Sequence, residues 1–452
     1  MPAFMSDRLA LELPPSEAFL PVAASAAENA AQVYGLEQDK ALRLALAVEE
    51  FFAYLCRYAG REEPVRLTLS SGGTFVRADF RFRIGEVSLR ALNFAASVDL
   101  EGEGGHDDLG LLLAARTTDR CSLELGGADV FHLRAEVDRA YPEAEPIATV
   151  QRLAGPVSVL DTPDPGQLQH AAMLAAGRYP ARLCPASFFR PARFADMVQS
   201  GQYHALLAVD SGGRPAGLIC WRAPGGRSVM FSGPYVFDPA LGADTARLLT
   251  ERFLALVART ETVCALSERP TADLPPGWFE RLGTLRFYGP DSSDSSGEPG
   301  QATEQPAFYR HLREDAGAAV WAHPELMDFL RARYDRLAFS RDILRAEQQP
   351  GPAGAQRLAE HSLLATALDL RKGLALLRPL LPGKDMRANL AAHVEALSER
   401  GVRDILLHLD LSQPWQGALY PQAAQAGFAP RLVLPHAGSS DLLVCQHVPA
   451  DL

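Results

Sequence analysis

Apolar residues recur at intervals of three and four from Ser16 to Tyr34 and again from Leu36 to Tyr58, where Leu42, Ala45, Val48, Phe52 and Leu55 carry the repeat. That interval matches the 3.6-residue helical turn and predicts two amphipathic helices. The period then drops to two. Val65-Arg66-Leu67-Thr68-Leu69 and the run from Phe75 to Phe82 alternate apolar and polar side chains, with Gly72-Gly73 between them as a hairpin signal. A second pair of strands, Arg120 to Leu125 and Val130 to Val137, is joined by Gly126-Gly127. Helix, helix, hairpin, helix, hairpin is the order of a two-layer α/β sandwich, assigned to residues 1–145.

A Pro-containing stretch from Ala140 to Pro156 is the first seam. The pattern resumes as a domain over residues 155–290. It holds strands His204 to Asp210, Ala216 to Arg222, Ser228 to Phe231 and Val263 to Ser267, and a helix from Ala243 to Thr260. The run DSSDSSGEPGQATEQP, Asp291 to Pro306, is polar, small and Pro/Gly-bearing, so it is expected to be a flexible linker (residues 291–306). Residues 307–452 then give a helical bridge, Ala307 to Glu347, and a last α/β unit, His361 to Val448. The fold class is thus α/β (α+β) and multidomain, as a chain of 452 residues is too long for one ordinary core.

Charge narrows the function classes. A net charge of −11 argues against a nucleic-acid surface, which needs clustered Lys and Arg. No apolar run reaches the length of a membrane span, and MPAFMSDRLALEL lacks the basic, apolar, small-residue order of a leader, so a cytoplasmic chain is expected. The six cysteines (56, 121, 184, 220, 264, 445) include no close pair, which predicts neither a zinc site nor a disulfide frame. His408, His436 and His447 are not at metal-ligand spacing, so no metal is expected, and solvation or local hydrogen bonds are predicted for them. No Ser-His-Asp order, Cys-His pair or Walker loop is present.

Leu46 to Gly60, LAVEEFFAYLCRYAG, resembles the first motif helix of the anti-sigma-factor serine kinases, a branch of the histidine-kinase-type ATPases. The resemblance covers roughly residues 8 to 138. It implies that Glu50 orients the nucleophile if ATP binds, and that Gly110 belongs to the phosphate turn. Other positions depart from the pattern. Tyr54 stands where the family has a Mg²⁺-holding Asn, Tyr58 where it has a His, and Arg83-Ile84-Gly85 where an Asp binds adenine. Asp107 and Asp108 flank the phosphate turn. Tyr is a poor ligand for a hard ion that prefers compact oxygen donors, and Arg83 cannot accept the adenine N–H. A degenerate, non-hydrolysing domain with doubtful ATP binding is expected, serving a regulatory or dimerising role toward a protein partner or second copy. On the alternative reading Glu49 and Glu50 only solvate a helix face.

Arg178-Tyr179-Pro180, ARFADMVQSG (Ala192 to Gly201), ALLAVDSGGRPAGLICW, SGPYVF and FERLGT together resemble the GNAT acyltransferases over roughly residues 157 to 290. The resemblance implies that the strand Gly233 to Phe237, with Tyr235 and Val236, splays from its neighbour and pairs with the pantetheine of acetyl-CoA or another acyl-CoA. It also implies that Gly242, Ala243 and Thr245 open the helix that meets the pyrophosphate. Glu268 is the candidate base, with Glu261 a second, and Tyr288 the candidate acid. The last unit looks like a second GNAT-like half, with Pro382-Gly383-Lys384-Asp385-Met386-Arg387 at the loop position. In the bridge, Arg310, His311, Arg313, Arg331 and Arg333 either grip an anion or line an amphipathic connecting helix. Two functions follow: an acyl-CoA-dependent N-acyltransferase, or a non-catalytic binding protein that reuses these folds.

Overall fold

A computed structural model describes residues 8–58, 64–83, 93, 117–125, 130–148, 153, 155–223, 226–288, 302–346 and 360–448. It divides into two compact units, residues 1–141 with 350–367 and 377–399, and residues 142–349 with 368–376 and 400–452.

The first unit is built on an antiparallel sheet in the order β1-β2-β3-β5-β4, comprising β1 (Arg8–Leu13), β2 (Val65–Ser71), β3 (Phe75–Arg83), β4 (Arg120–Leu125) and β5 (Val130–Asp138). Helices α1 (Leu20–Val33) and α2 (Gln38–Tyr58) cover one face. Alternation in β2 buries Val65, Leu67 and Leu69 beneath them, and the buried residues of α1 are the small Ala23, Ala27, Ala30 and Ala31, so the two helices close tightly. In α2 the buried stripe is Ala41, Leu44, Ala45, Val48, Phe51, Phe52 and Leu55. Leu42, read from the period as a core position, is instead 44% exposed, because the stripe is centred on Leu44 and Phe51. Strand β1 was not visible in the sequence pattern: its burial is slight until Leu13, as befits an edge strand.

The second unit contains a seven-stranded sheet in the order β11-β12-β10-β9-β8-β7-β6. Its strands are β6 (Ser158–Leu160), β7 (His204–Val209), β8 (Pro215–Arg222), β9 (Ser228–Val236), β10 (Cys264–Ser267), β11 (Glu280–Phe287) and β12 (Thr303–His311). Strand β7 is apolar on both sides, and its period of two sorts the two faces. Ala205, Leu207 and Val209 pack under α3 (Pro165–Arg178) and α4 (Pro191–Gln199), while Leu206 and Ala208 pack with Leu249 and Phe253 of α5 (Gly242–Val257). Gly217 of β8 lets α5 approach: an added Cβ would lie 2.7 Å from the Tyr235 carbonyl oxygen and 2.8 Å from Thr245 Cγ2.

The segment expected to be a linker ends differently. Thr303 to Pro306 form the first half of β12, opposite Phe287 to Thr284 of β11, and the rest of that segment lies outside the described residues apart from Ala302. The apolar side chains needed to recognise that half-strand are missing, and main-chain pairing with β11 is what holds it. The bridge is not one helix either. After β12 it runs through β13 (Ala318–Ala322), α6 (Pro324–Leu337) and β14 (Arg341–Arg345), with β13 and β14 parallel. A five-stranded sheet follows in the order β15-β16-β17-β19-β18, from β15 (Leu363–Asp369), β16 (Leu374–Leu381), β17 (Asp404–Asp410), β18 (Phe428–Leu434) and β19 (Leu442–His447). Helix α7 (Met386–Glu399) follows β16, and two short helices, α8 (Pro414–Gly417) and α9 (Tyr420–Gln425), lie between β17 and β18.

Candidate functional site

Helix α2 presents Glu49 and Glu50 to solvent, while Tyr54 one turn on is 4% exposed and belongs to the core with Phe51 and Leu55. A phenol buried there cannot reach a metal held by Glu50, so the residues present do not fit the Mg²⁺–nucleotide site of the resemblance. Gly110, Asp107 and Asp108 lie outside the described residues, as do Ile84 and Gly85. Magnesium-dependent phosphate release from ATP is therefore expected to be at background for the whole protein and unchanged by Glu50→Ala. A malachite-green assay showing turnover that the substitution removes would overturn this.

The expected splay of strands is present. Parallel pairing of β9 with β10 covers only Ser228 to Met230 against Cys264 to Leu266, so the rest of β9, through Tyr235 and Val236, has left its neighbour. On its other side β9 stays with β8, where Phe237 donates its N–H to Ala216 O at 2.9 Å. The groups turned into the splay are already bonded. The Tyr179 hydroxyl takes the Val236 N–H at 2.6 Å and sits 3.0 Å from the Val236 carbonyl. The same oxygen is 2.6 Å from Asp273 Oδ2. Pro234 has no N–H to offer, and its carbonyl accepts from the buried Thr271 hydroxyl. Burial and the neighbouring Asp273 push the Tyr179 phenol well above its ordinary range, so it remains a neutral donor.

Thus residues 271–273, leaving β10, cross the mouth of the splay and tie to β9. Gln305 of β12 anchors the crossing, donating to Pro270 O at 3.2 Å. A pantetheine would have to displace Tyr179 and Thr271 to pair with this strand, and the splay in this form does not fit it. Tyr235, expected on the ligand, is fully buried and donates its hydroxyl to Leu183 O at 2.6 Å.

The helix that follows is more open. Gly242 and Ala243 begin α5 with no side-chain cap, and Ala243 is exposed. Asp244 in that first turn already complements the helix dipole, and it would repel a phosphate. Thr245, placed on the pyrophosphate by the resemblance, is fully buried against Gly217 instead.

The candidate acid and base are apart. Ser267 lies opposite Phe308 and Phe308 opposite Arg281, which sets Glu268 near the start of β11. Tyr288 lies past the far end of that strand, its N–H bonded to Asp404 Oδ1 at 2.8 Å. At about 3.3 Å per residue the gap is on the order of 20 Å, so the two do not form one acid–base pair. Glu268 stays beside the splay, with Oε1 buried and, among the described residues, without a hydrogen-bond partner. Glu261 is exposed and paired with Arg313 at 3.2 Å.

The second loop is closed as well. Gly383 precedes α7 so tightly that an added Cβ would lie 2.2 Å from Ser362 N. Asp385 accepts the Ser362 N–H and meets His361 Nδ1 at 3.2 Å, while Lys384 pairs with Glu360. Its phosphate-facing groups are thus engaged by residues 360–362.

The bridge cations do not converge on an anion. Arg310 donates to Trp278 O at 2.6 Å, Arg331 pairs with Asp328 at 2.9 Å, Arg333 lies 4.9 Å from the Phe329 ring, and His311 stacks near Phe339. His408 is buried rather than solvated, whereas His436 is hydrogen-bonded to Asp315 at 3.0 Å. Sequence reasoning had not singled out the hydroxyl role of Tyr179, nor Thr271 and Asp273. Only the Arg178-Tyr179-Pro180 run gave any signal, by ending α3 at that place.

Residues 13–131 match the family model of the histidine kinase-like ATPase domain. A search of curated proteins finds no match to the chain. Among solved structures, the chain is similar to a GNAT superfamily phosphinothricin acetyltransferase from Sinorhizobium meliloti in complex with acetyl-CoA, at 15% identity and a TM-score of 0.26, covering 35% of this chain and 90% of that one. An aminoglycoside 6′-acetyltransferase type Ii is similar at 13% identity and a TM-score of 0.26, over 35% of this chain and 99% of the other. An aminoglycoside 6′-N-acetyltransferase complexed with coenzyme A gives 13%, 0.24, 35% and 98%. Residues 13–131 are thus similar to the histidine kinase-like ATPase domain, and the solved GNAT acetyltransferases are similar over about a third of the chain, the 35% above.

Proposed function

We propose that the chain is a binding or regulatory protein that reuses ATPase-type and acyltransferase-type folds without their catalytic chemistry. One observation carries this reading: the β9 edge on which an acyl-CoA would pair is bonded by Tyr179 and Thr271 of the same chain. The burial of Tyr54 supports it from the N-terminal unit. Isothermal titration of the protein with acetyl-CoA, and separately with ATP and Mg²⁺, is expected to give no saturable heat. A saturable acetyl-CoA isotherm, with hydrogen-exchange protection confined to residues 233–250, would overturn it.

A second reading, an acyl-CoA-dependent N-acyltransferase, is favoured by the splay itself and by the uncapped first turn of α5. There an amine would attack the thioester carbonyl, Glu268 would take the amine proton, and the C–S bond would break to release a thiolate that regains that proton as the thiol. Exchange protection confined to residues 380–392 would instead favour the second half.

A further inference from the structure

The apolar core of the ATPase-like sandwich is not closed by residues 1–141 alone. Leu363, fully buried, belongs to the cluster that holds Phe51, Phe52 and Phe80, and Leu380 and Leu381 pack against that cluster. These three leucines come from β15 and β16, far downstream. Residues 350–367 and 377–399 accordingly fall in the same compact unit as residues 1–141.

A buried polar network fixes the same place. Asn93 donates from Nδ2 to Ser362 O at 2.9 Å and accepts the Leu364 N–H at 2.9 Å, the two-point pairing that a neighbouring strand would supply. Asn389 of α7 donates to Ser362 O at 3.0 Å and to Ser362 Oγ at 2.9 Å, and it reaches Asn93 Oδ1 at 3.3 Å. Asp385 accepts the Ser362 N–H, so N, O and Oγ of this fully buried serine all have partners. One turn beyond Asn389, His393 is fully buried and donates Nδ1–H to Asn389 O at 2.9 Å. A satisfied buried network holds its members in one arrangement, and it is costly to open by halves.

We propose that residues 360–399 are the intramolecular ligand of the ATPase-like segment, so that the partner this segment binds is part of its own chain. The inference deepens the binding reading above and rests on it. The loop that the GNAT resemblance sets against a pyrophosphate is taken up by this contact instead: Gly383 lies against Ser362 N, and Asp385 bonds to it. Asn93, between β3 and β4, faces the other way along the same bonds, its amide oxygen and nitrogen both engaged by downstream residues. A second copy or another protein could reach this part of the core only by displacing Leu363 and breaking the Asn93 pairing. Since both sides share one network, weakening either side loosens the other, as thermodynamic coupling requires.

Native-state hydrogen exchange of the full-length protein through a low-urea series is the test. Peptides from α2 (44–55) and β2 (65–71) and peptides at 362–366 and 386–397 are expected to open together, with the same urea dependence. Asn389→Ala, on the downstream side, should lower protection of the α2 and β2 peptides by about tenfold, and Asn93→Ala should do the same to 362–366 and 386–397. Residues 204–222 of β7 and β8 should not change. The wild-type series decides the matter even if a variant fails to fold. Separate opening of 362–366 and 386–397, with α2 and β2 still protected, would overturn the proposal. Protection at 362–366 that falls on dilution would overturn it too, by placing the contact between two copies. Failure of the binding reading shows elsewhere, as a saturable acetyl-CoA isotherm, so the two failures are told apart.

Discussion

Arg341→Met should lower the stability of the second unit by about 3–5 kcal/mol, the usual loss when one partner of a buried ion pair is removed. The Arg341 side chain is fully buried. Its Nε and Nη2 donate to the two Asp441 oxygens at 2.8 and 3.2 Å, and Nη1 donates to Asp315 at 2.7 Å. The guanidinium also lies 5.0 Å from the Phe339 ring. Methionine keeps the bulk but leaves two carboxylates buried without their counter-charge. Burial alone would raise Asp315; hydrogen bonds from Arg341 and His436 outweigh it and hold the carboxyl below its ordinary range. A depressed carboxylate contributes stability that is present above its unfolded value and is lost as pH falls through the folded one. In the variant the Arg341 share of that depression is lost while burial still raises the carboxyl, so its deficit against wild type should shrink as pH is lowered from 7 toward 4. Urea midpoints at the two pH values test both parts. A deficit under 1 kcal/mol at pH 7, or one that grows on acidification, would contradict the account.

That cluster illustrates what the sequence could and could not disclose. Asp315, Arg341, His436 and Asp441 are up to 126 positions apart and obey no local period, so nothing short of the fold brings them together. By contrast β2, β3 and β5 were legible from alternation alone, because one face of each is apolar and packs under two helices while the other carries polar side chains. Strands β7 to β9 were legible as apolar runs bounded by glycine turns. Thr303 to Pro306 were not, since their composition is that of a loop and only main-chain pairing with β11 makes them a strand. In the helices the period gave the existence of α2 but misplaced Leu42 by the width of one stripe.

The candidate site divides along the same line. Its frame, a strand that leaves its neighbour and a helix beginning at Gly242, was readable from resemblance. Its state was not. Whether a main-chain edge is free depends on Tyr179, 57 positions upstream of Val236, and on Thr271, 37 downstream of Pro234. Residue types alone could not reveal this, because a Tyr at the end of a helix and a Thr in a loop are ordinary surface residues until the chain folds.

Tyr179→Phe should separate the two functions open to this chain. The substitution keeps the ring, which packs edge-on against Tyr235 at 5.1 Å, and removes only the hydroxyl. The Val236 N–H and C=O and the Asp273 carboxylate each lose that partner. Leaving such groups unsatisfied costs about 1–3 kcal/mol, so the thermal midpoint should fall by several degrees. The freed edge then offers one donor and one acceptor, the pair with which an extended amide chain binds a sheet edge. If the hydroxyl is what excludes acyl-CoA, acetyl-CoA should bind the variant at least about tenfold more tightly than wild type and recover part of the lost midpoint. If instead wild type already binds acetyl-CoA and the variant binds it no better, Tyr179 is not a plug but a residue that moves aside, and the catalytic reading gains. A variant that is destabilised yet still ignores acetyl-CoA would leave Thr271 as the remaining barrier, which Tyr179→Phe combined with Thr271→Val would then expose.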